Sequence, residues 1–276
     1  MSQSRASEEE PQVGVGKERS LYVGAQAIDR QASWLDASAS KPAAGPIQRD
    51  GSMSTSDSLS AAAGLSAKLV DASCRALDVG GSLILLVLLS PLLLVLAIAV
   101  KLDSPGPVLF RQRRLGRDLE PFTVNKFRTM HHGAAHDRHR EFVLGLIKGE
   151  VPQPETAGSP YKIVGDRRVT RIGRLLRRSS LDELPQLWNV LRGDMSLVGP
   201  RPPIPYEVEH YPHHWFARFA VKPGITGLWQ VNGRSEVPLE EMVRLDVEYT
   251  QRRSLWFNLS LLARTLPAVL SGRGAS

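Results

Sequence analysis

The chain has 276 residues, 42% of them hydrophobic, which suffices for a packed core and excludes a wholly disordered protein. Its single cysteine, Cys74, excludes an internal disulfide framework and a multi-thiolate zinc site, and points to a reducing compartment. The net charge is +7, and between Lys101 and Arg201 there are 19 Lys/Arg against 11 Asp/Glu, so a polyanionic partner is expected to meet the middle of the chain.

Residues 1–66 are rich in Ser, Ala, Gly and Gln and are predicted to be a disordered tail. The acidic opening at Glu8, Glu9 and Glu10 lacks the basic start and early apolar core of a cleavable signal. Residues 67–102 are predicted to be a membrane segment. From Ser82 to Val100 nineteen residues carry no charge, just enough at about 1.5 Å per residue to cross a hydrocarbon core of roughly 30 Å. Pro91 interrupts the run near its middle, and Ser90 can bond back to the carbonyl that the proline frees. Basic residues flank both ends, Lys68 and Arg75 before and Lys101, Arg111, Arg113, Arg114 and Arg117 after. A spanning helix and a re-entrant helix bent at Ser90-Pro91 both satisfy these observations, and both leave the following residues cytoplasmic.

Beyond the membrane segment, residues 103–272 are expected to form a small catalytic domain, mainly helical within an α+β class. Short apolar runs such as Pro107 to Phe110 and Phe122 to Val124 indicate strands. Residues 166–178 indicate a helix with Val169, Ile172, Leu175 and Leu176 on one face and arginines on another. An insertion at about 131–161 opens with His131, His132, His136 and His139, a polar cluster with no neighbouring cysteine, so a metal site is not expected there. The last element, Leu255 to Leu270, is apolar on most sides and reads equally as a core helix or as one lying in a lipid interface.

The densest stretch is Ser179 to Pro203, where Asp182 and Glu183 precede an apolar run, Leu184 to Leu191. Ser180 with Glu183 three residues on fits a capping box, and acids are favoured at a helix N-terminus. The chemical alternative is that one carboxylate attacks phosphorus while its neighbour holds a divalent cation, with the surrounding arginines neutralising phosphate.

Lys126 to Met130, then Arg177 with Ser180 to Asn189, Pro200-Arg201-Pro202, Lys222 to Gly227 and Asn232-Gly233-Arg234 together resemble the bacterial monotopic phosphoglycosyl transferases, over about residues 70–270. The resemblance implies a re-entrant N-terminal membrane helix bent at Ser90 and Pro91, interfacial amphipathic helices, and a catalytic domain on the cytoplasmic face of the bacterial inner membrane. It further implies transfer of a sugar 1-phosphate from a UDP-sugar to undecaprenyl phosphate, with release of UMP, as the first membrane step of exopolysaccharide, capsule or glycoconjugate assembly. Downstream glycosyltransferases would take the product, and nucleic acid is not an expected partner. Asp182 matches the family's nucleophile, which becomes a phosphoaspartyl-sugar, and Glu183 its Mg²⁺ ligand. Lys126, Arg128, Arg177, Arg201 and Arg234 match its substrate-binding cations. A UDP-hexose, glucose or galactose, is the expected donor, although no motif encodes the sugar. Two rivals remain at this stage: direct attack by the lipid phosphate with both substrates bound, and a non-enzymatic basic module tethered to the membrane, which leaves Asp182 and Glu183 without a role.

Overall fold

A computed structural model describes residues 55–133, 137–148, 166–233 and 237–270. All of them belong to one structural unit. The expected tail lies outside the described residues up to residue 54. From Thr55, twelve residues before the expected boundary, the chain is helical.

Helix α1, Thr55–Leu88, is followed after Leu89 by α2, Ser90–Asp103. No single helix among the described residues is long and apolar enough to cross a membrane, but Gly64–Leu88 and Ser90–Asp103 pass together as a pair bent by 64°. The bend has the cause expected from sequence. Pro91 carries no N–H for the Val87 carbonyl four residues back, and the Ser90 hydroxyl donates to that carbonyl instead at 2.8 Å. Around the bend Ile84, Val87, Leu88, Leu94, Val95 and Ile98 are exposed.

Below its apolar tip, α1 is fastened to the rest of the unit by polar groups one helical turn apart. Arg75 donates to the Val190 and Leu191 carbonyls at 2.6 and 2.8 Å. Asp78 accepts from the Ser196 hydroxyl and the Leu197 amide at 2.9 and 2.8 Å. Asp71 pairs with Arg253 and Arg117. The spacing of three and four residues that puts these side chains on one face leaves the opposite face free of them.

Strands β1, Leu109–Leu115, and β2, Pro121–Phe127, pair antiparallel with Phe110 opposite Lys126 and Arg114 opposite Phe122. Helix α3, Asp137–Lys148, lies in the insertion. Helix α4, Arg171–Ser179, starts five residues later than expected, because the Thr170 hydroxyl accepts from the Gly173 amide and caps it there. A β-carbon on Gly173 would lie 2.1 Å from the Thr129 carbonyl oxygen, so glycine permits the close approach of α4 to the chain after β2. Of the apolar face read from sequence, Leu176 is fully buried while Leu175 is exposed.

Helix α5, Gln186–Arg192, leads to β3, Ser196–Val198, which pairs in parallel with β4, Gly224–Thr226; α6, Pro205–Val208, lies between these strands in sequence. Helix α7, Leu228–Asn232, α8, Leu239–Arg252, and α9, Leu255–Leu270, complete the order. Among the described residues the fold is therefore mainly helical α+β with two two-stranded sheets. One core joins Val124, Leu187, Val190, Met195, Val198, Trp229, Leu245, Tyr249 and Leu261, and a second joins Leu96 and Val100 of α2 to Phe127 and Leu176. Helix α9 has one buried side and one exposed side. Asn258 and Leu261 are buried, the former within 2.9 Å of the Tyr249 hydroxyl, whereas Trp256 and Leu266 are exposed.

Candidate active site

The two carboxylates sit on a 3₁₀ turn, Leu181–Glu183, between α4 and α5. Ser180 does not form the capping box that its sequence permits. It adopts a left-handed conformation, φ 57°, as the C-cap of α4, its side chain makes no cap bond to the following turn, and its amide returns to α4 carbonyls. Helix α5 starts only at Gln186, with Pro185 before it. Glu183 is therefore not held as a cap. Its Oε1 lies 2.7 Å from the Lys126 Nζ of β2, a pair whose side chains are each about one-fifth exposed.

Lys126 and Glu183 line a cleft together with Arg201, Arg114, Gln186 and Gln230. Asp182 precedes Glu183 on the same turn and is near enough to Arg177 for their charges to act on each other. Arg177 donates from Nε to the Thr129 hydroxyl at 2.9 Å. Burial pushes its guanidinium below the usual value, and the charges of Asp182 and Asp166 act against that shift. The structure thus brings Lys126, Glu183 and Arg201 to one cleft from β2, the 3₁₀ turn and the loop after β3, while Asp182 and Arg177 interact electrostatically at the α4 end of that turn. Arg234 lies outside the described residues.

Arg128 is a correction. Although it stands two residues from Lys126, strand alternation does not bring it to the cleft. Its guanidinium donates to the Ser104 and Pro105 carbonyls at 2.7 and 2.5 Å, where α2 ends, and the residue is 5% exposed. A cation there satisfies carbonyls orphaned at a helix C-terminus. Arg75, read from sequence as a charged membrane flank, does the same for α5.

Sequence reading missed Arg114 as a cleft residue. It is buried, donates to the Pro202 carbonyl at 2.8 Å and to Gln112 Oε1, and burial with the charge of Arg201 lowers its pKa to about 10. The period of a strand was the available signal, since Gln112 and Arg114 share one side of β1 while Arg111 and Arg113 are exposed. Asp246 was missed as well. It falls on the buried face of α8 with Met242, Val243 and Tyr249 and pairs with Arg218 at 2.5 Å.

Among the described residues no three His, Cys, Asp or Glu side chains gather as a metal site. His136 and the side chain of His139 lie outside the description. Mg²⁺, however, is commonly held by one or two carboxylates plus substrate phosphates. Adjacent Asp182 and Glu183 beside a cationic cleft fit that donor set.

A model of the family described as bacterial sugar transferase matches residues 70–272. The chain is 44% identical over 210 residues to UDP-glucose:undecaprenyl-phosphate glucose-1-phosphate transferase of Caulobacter vibrioides, covering 73% of this chain and 71% of that one. It is 40% identical over 201 residues to UDP-galactose-lipid carrier transferase of Erwinia amylovora, and there the match covers only 41% of the relative. Exopolysaccharide production protein ExoY of Rhizobium meliloti is 38% identical over 201 residues, 87% of its length.

Proposed function

The chain belongs to the bacterial sugar transferase family and is a phosphoglycosyl transferase by that membership; from this premise we propose that it moves a sugar 1-phosphate from a UDP-sugar to undecaprenyl phosphate in polysaccharide assembly. The donor in this reading is UDP-glucose or UDP-galactose, the two sugars in the names of the Caulobacter and Erwinia relatives. The observation that carries it is the 2.7 Å contact between Lys126 and Glu183, which joins two motifs 57 residues apart beside Arg201.

The proposed chemistry is a double displacement. An Asp182 carboxylate oxygen forms a bond to the sugar-bearing phosphorus, the anhydride bond breaks, and UMP leaves. A phosphate oxygen of the lipid then attacks the same phosphorus, the acyl phosphate bond breaks, and Asp182 is regenerated. Lys126, Arg177 and Arg201 supply fixed positive charge where the equatorial and leaving oxygens develop negative charge. Glu183 would hold Mg²⁺, which when bound neutralises diphosphate oxygens. A covalent intermediate suits this pair of substrates, because the donor is soluble and the acceptor is confined to a bilayer, so one site serves each in turn.

The bent pair α1–α2, with its exposed Val87, Leu88, Leu94 and Val95, is read as a re-entrant anchor that keeps the cleft on the cytoplasmic face of a bacterial inner membrane. Trp256 and Leu266 on the outer side of α9 suit the same interface. Further glycosyltransferases would extend the lipid-linked sugar.

The test is UMP release by the full chain in nanodiscs with Mg²⁺, undecaprenyl phosphate and either UDP-sugar, including a single-turnover arm without lipid. A burst of UMP stoichiometric with enzyme before acceptor is added is expected. Absence of the burst with full turnover in the presence of lipid would establish direct attack by the lipid phosphate instead.

A further inference from the structure

The loop Pro200 to Pro203 carries three prolines, so Arg201 owns its only backbone N–H. All four backbone carbonyls of this loop have partners. The Pro200 carbonyl accepts from the Gly224 amide at 2.9 Å, and the Pro203 carbonyl from the Leu115 amide at 3.1 Å. The Pro202 carbonyl accepts from Arg114 at 2.8 Å and the Arg201 carbonyl from Arg218 Nη2 at 2.9 Å. Asp246 lies near enough to Arg201 to feel its positive charge. Arg218 and Asp246 face each other at 2.5 Å, with side chains 6% and 1% exposed. Buried charges of this kind need a reason, because a well-packed apolar pair is often at least as stable.

We propose that Arg218 is a positioning residue that holds the Arg201 carbonyl from behind, itself fixed by Asp246, and so aims the Arg201 guanidinium into the donor cleft. The inference rests on the reading of Arg201 as a diphosphate clamp. The geometry gives the pair a task that no apolar substitute can perform. Arg218 is the donor for the Arg201 carbonyl, and the buried ion pair with Asp246 locks that donor in place. Prolines on both sides restrict φ and the conformation of each preceding residue, so holding the Arg201 carbonyl between them steadies the loop. Misplacing a clamping guanidinium by about 1 Å is enough to cost on the order of 10²-fold in rate.

The experiment uses the full chain in nanodiscs and four proteins beside wild type: Arg201→Ala, Asp246→Asn, Asp246→Asn with Arg201→Ala, and the double substitution Arg218→Met with Asp246→Leu. Steady-state UMP release with UDP-glucose and UDP-galactose gives donor KM and kcat/KM, and hydrogen exchange of the fragment containing Arg201 reads its amide directly. Asp246→Asn and the apolar double substitution are expected to raise donor KM about tenfold or more and to speed Arg201 exchange about tenfold, with acceptor KM unchanged, and the apolar version is expected to keep a melting temperature near wild type. On the Arg201→Ala background, Asp246→Asn should add less than about twofold, since it acts through a side chain already removed. Full additivity of the two substitutions, or wild-type exchange and donor KM in the apolar version, would overturn the proposal. An unchanged donor KM in Arg201→Ala alone would instead remove the clamp reading, a failure the single variant exposes by itself.

Discussion

Asp182 and Glu183 are adjacent in sequence yet have different surroundings: Glu183 faces the Lys126 ammonium, while Asp182 is felt by Arg177. That separation is what divided roles require, and it predicts different defects. Asp182→Asn is expected to lower kcat on the order of 10³-fold or more, with the covalent burst abolished, because the amide is no nucleophile. Glu183→Gln should retain a slow burst and shift the Mg²⁺ dependence to higher concentration, which a metal titration checks. Arg128 behaves oppositely. Arg128→Ala removes a buried cation from the Ser104 and Pro105 carbonyls and should destabilise the protein by about 2–5 kcal/mol with donor KM unchanged in the folded fraction, as thermal melts beside kinetics would record.

At the scale of elements, the break between α1 and α2 depends on a proline that withholds a donor and a serine that supplies one. Replacing Pro91 by leucine restores the missing N–H and is expected to straighten the pair toward a spanning helix. Accessibility of a cysteine placed before Thr55, in a chain with Cys74 replaced by serine, should then move from the cytoplasmic to the opposite side of the membrane. The contact of α4 with the chain after β2 is as local. Gly173→Ala places a methyl 2.1 Å from the Thr129 carbonyl oxygen and should cost about 1–3 kcal/mol in a denaturant melt. It should also raise donor KM, because α4 carries Arg177 toward Thr129.

Over the whole molecule, Asp246 joins stability to pH. Burial raises its pKa from 3.8 to about 6 against the pull of Arg218 and Arg201. Between those values the folded state keeps a proton that the unfolded chain has released, so stability falls as pH rises from about 4 to about 6, by at most about 3 kcal/mol. Asp166, lowered by its hydrogen bonds from Arg168, acts in the opposite sense and only below about 4. Unfolding free energy measured across this window should flatten in Asp246→Asn, and a slope retained there would assign it to other groups. The same groups mark the division between what was legible and what was not. Sequence by itself determined the bend at Ser90-Pro91 and the strands on either side of residue 118, because each depends on a proline, an alternation or a spacing within a few residues. It did not determine that Ser180 turns left-handed rather than capping α5, that Arg128 and Arg75 face helix carbonyls, or that Asp246 stands behind Arg201. Those outcomes depend on which chain passes within 3 Å of a charge, and a charge buried far from water takes whatever partner the tertiary packing brings to it.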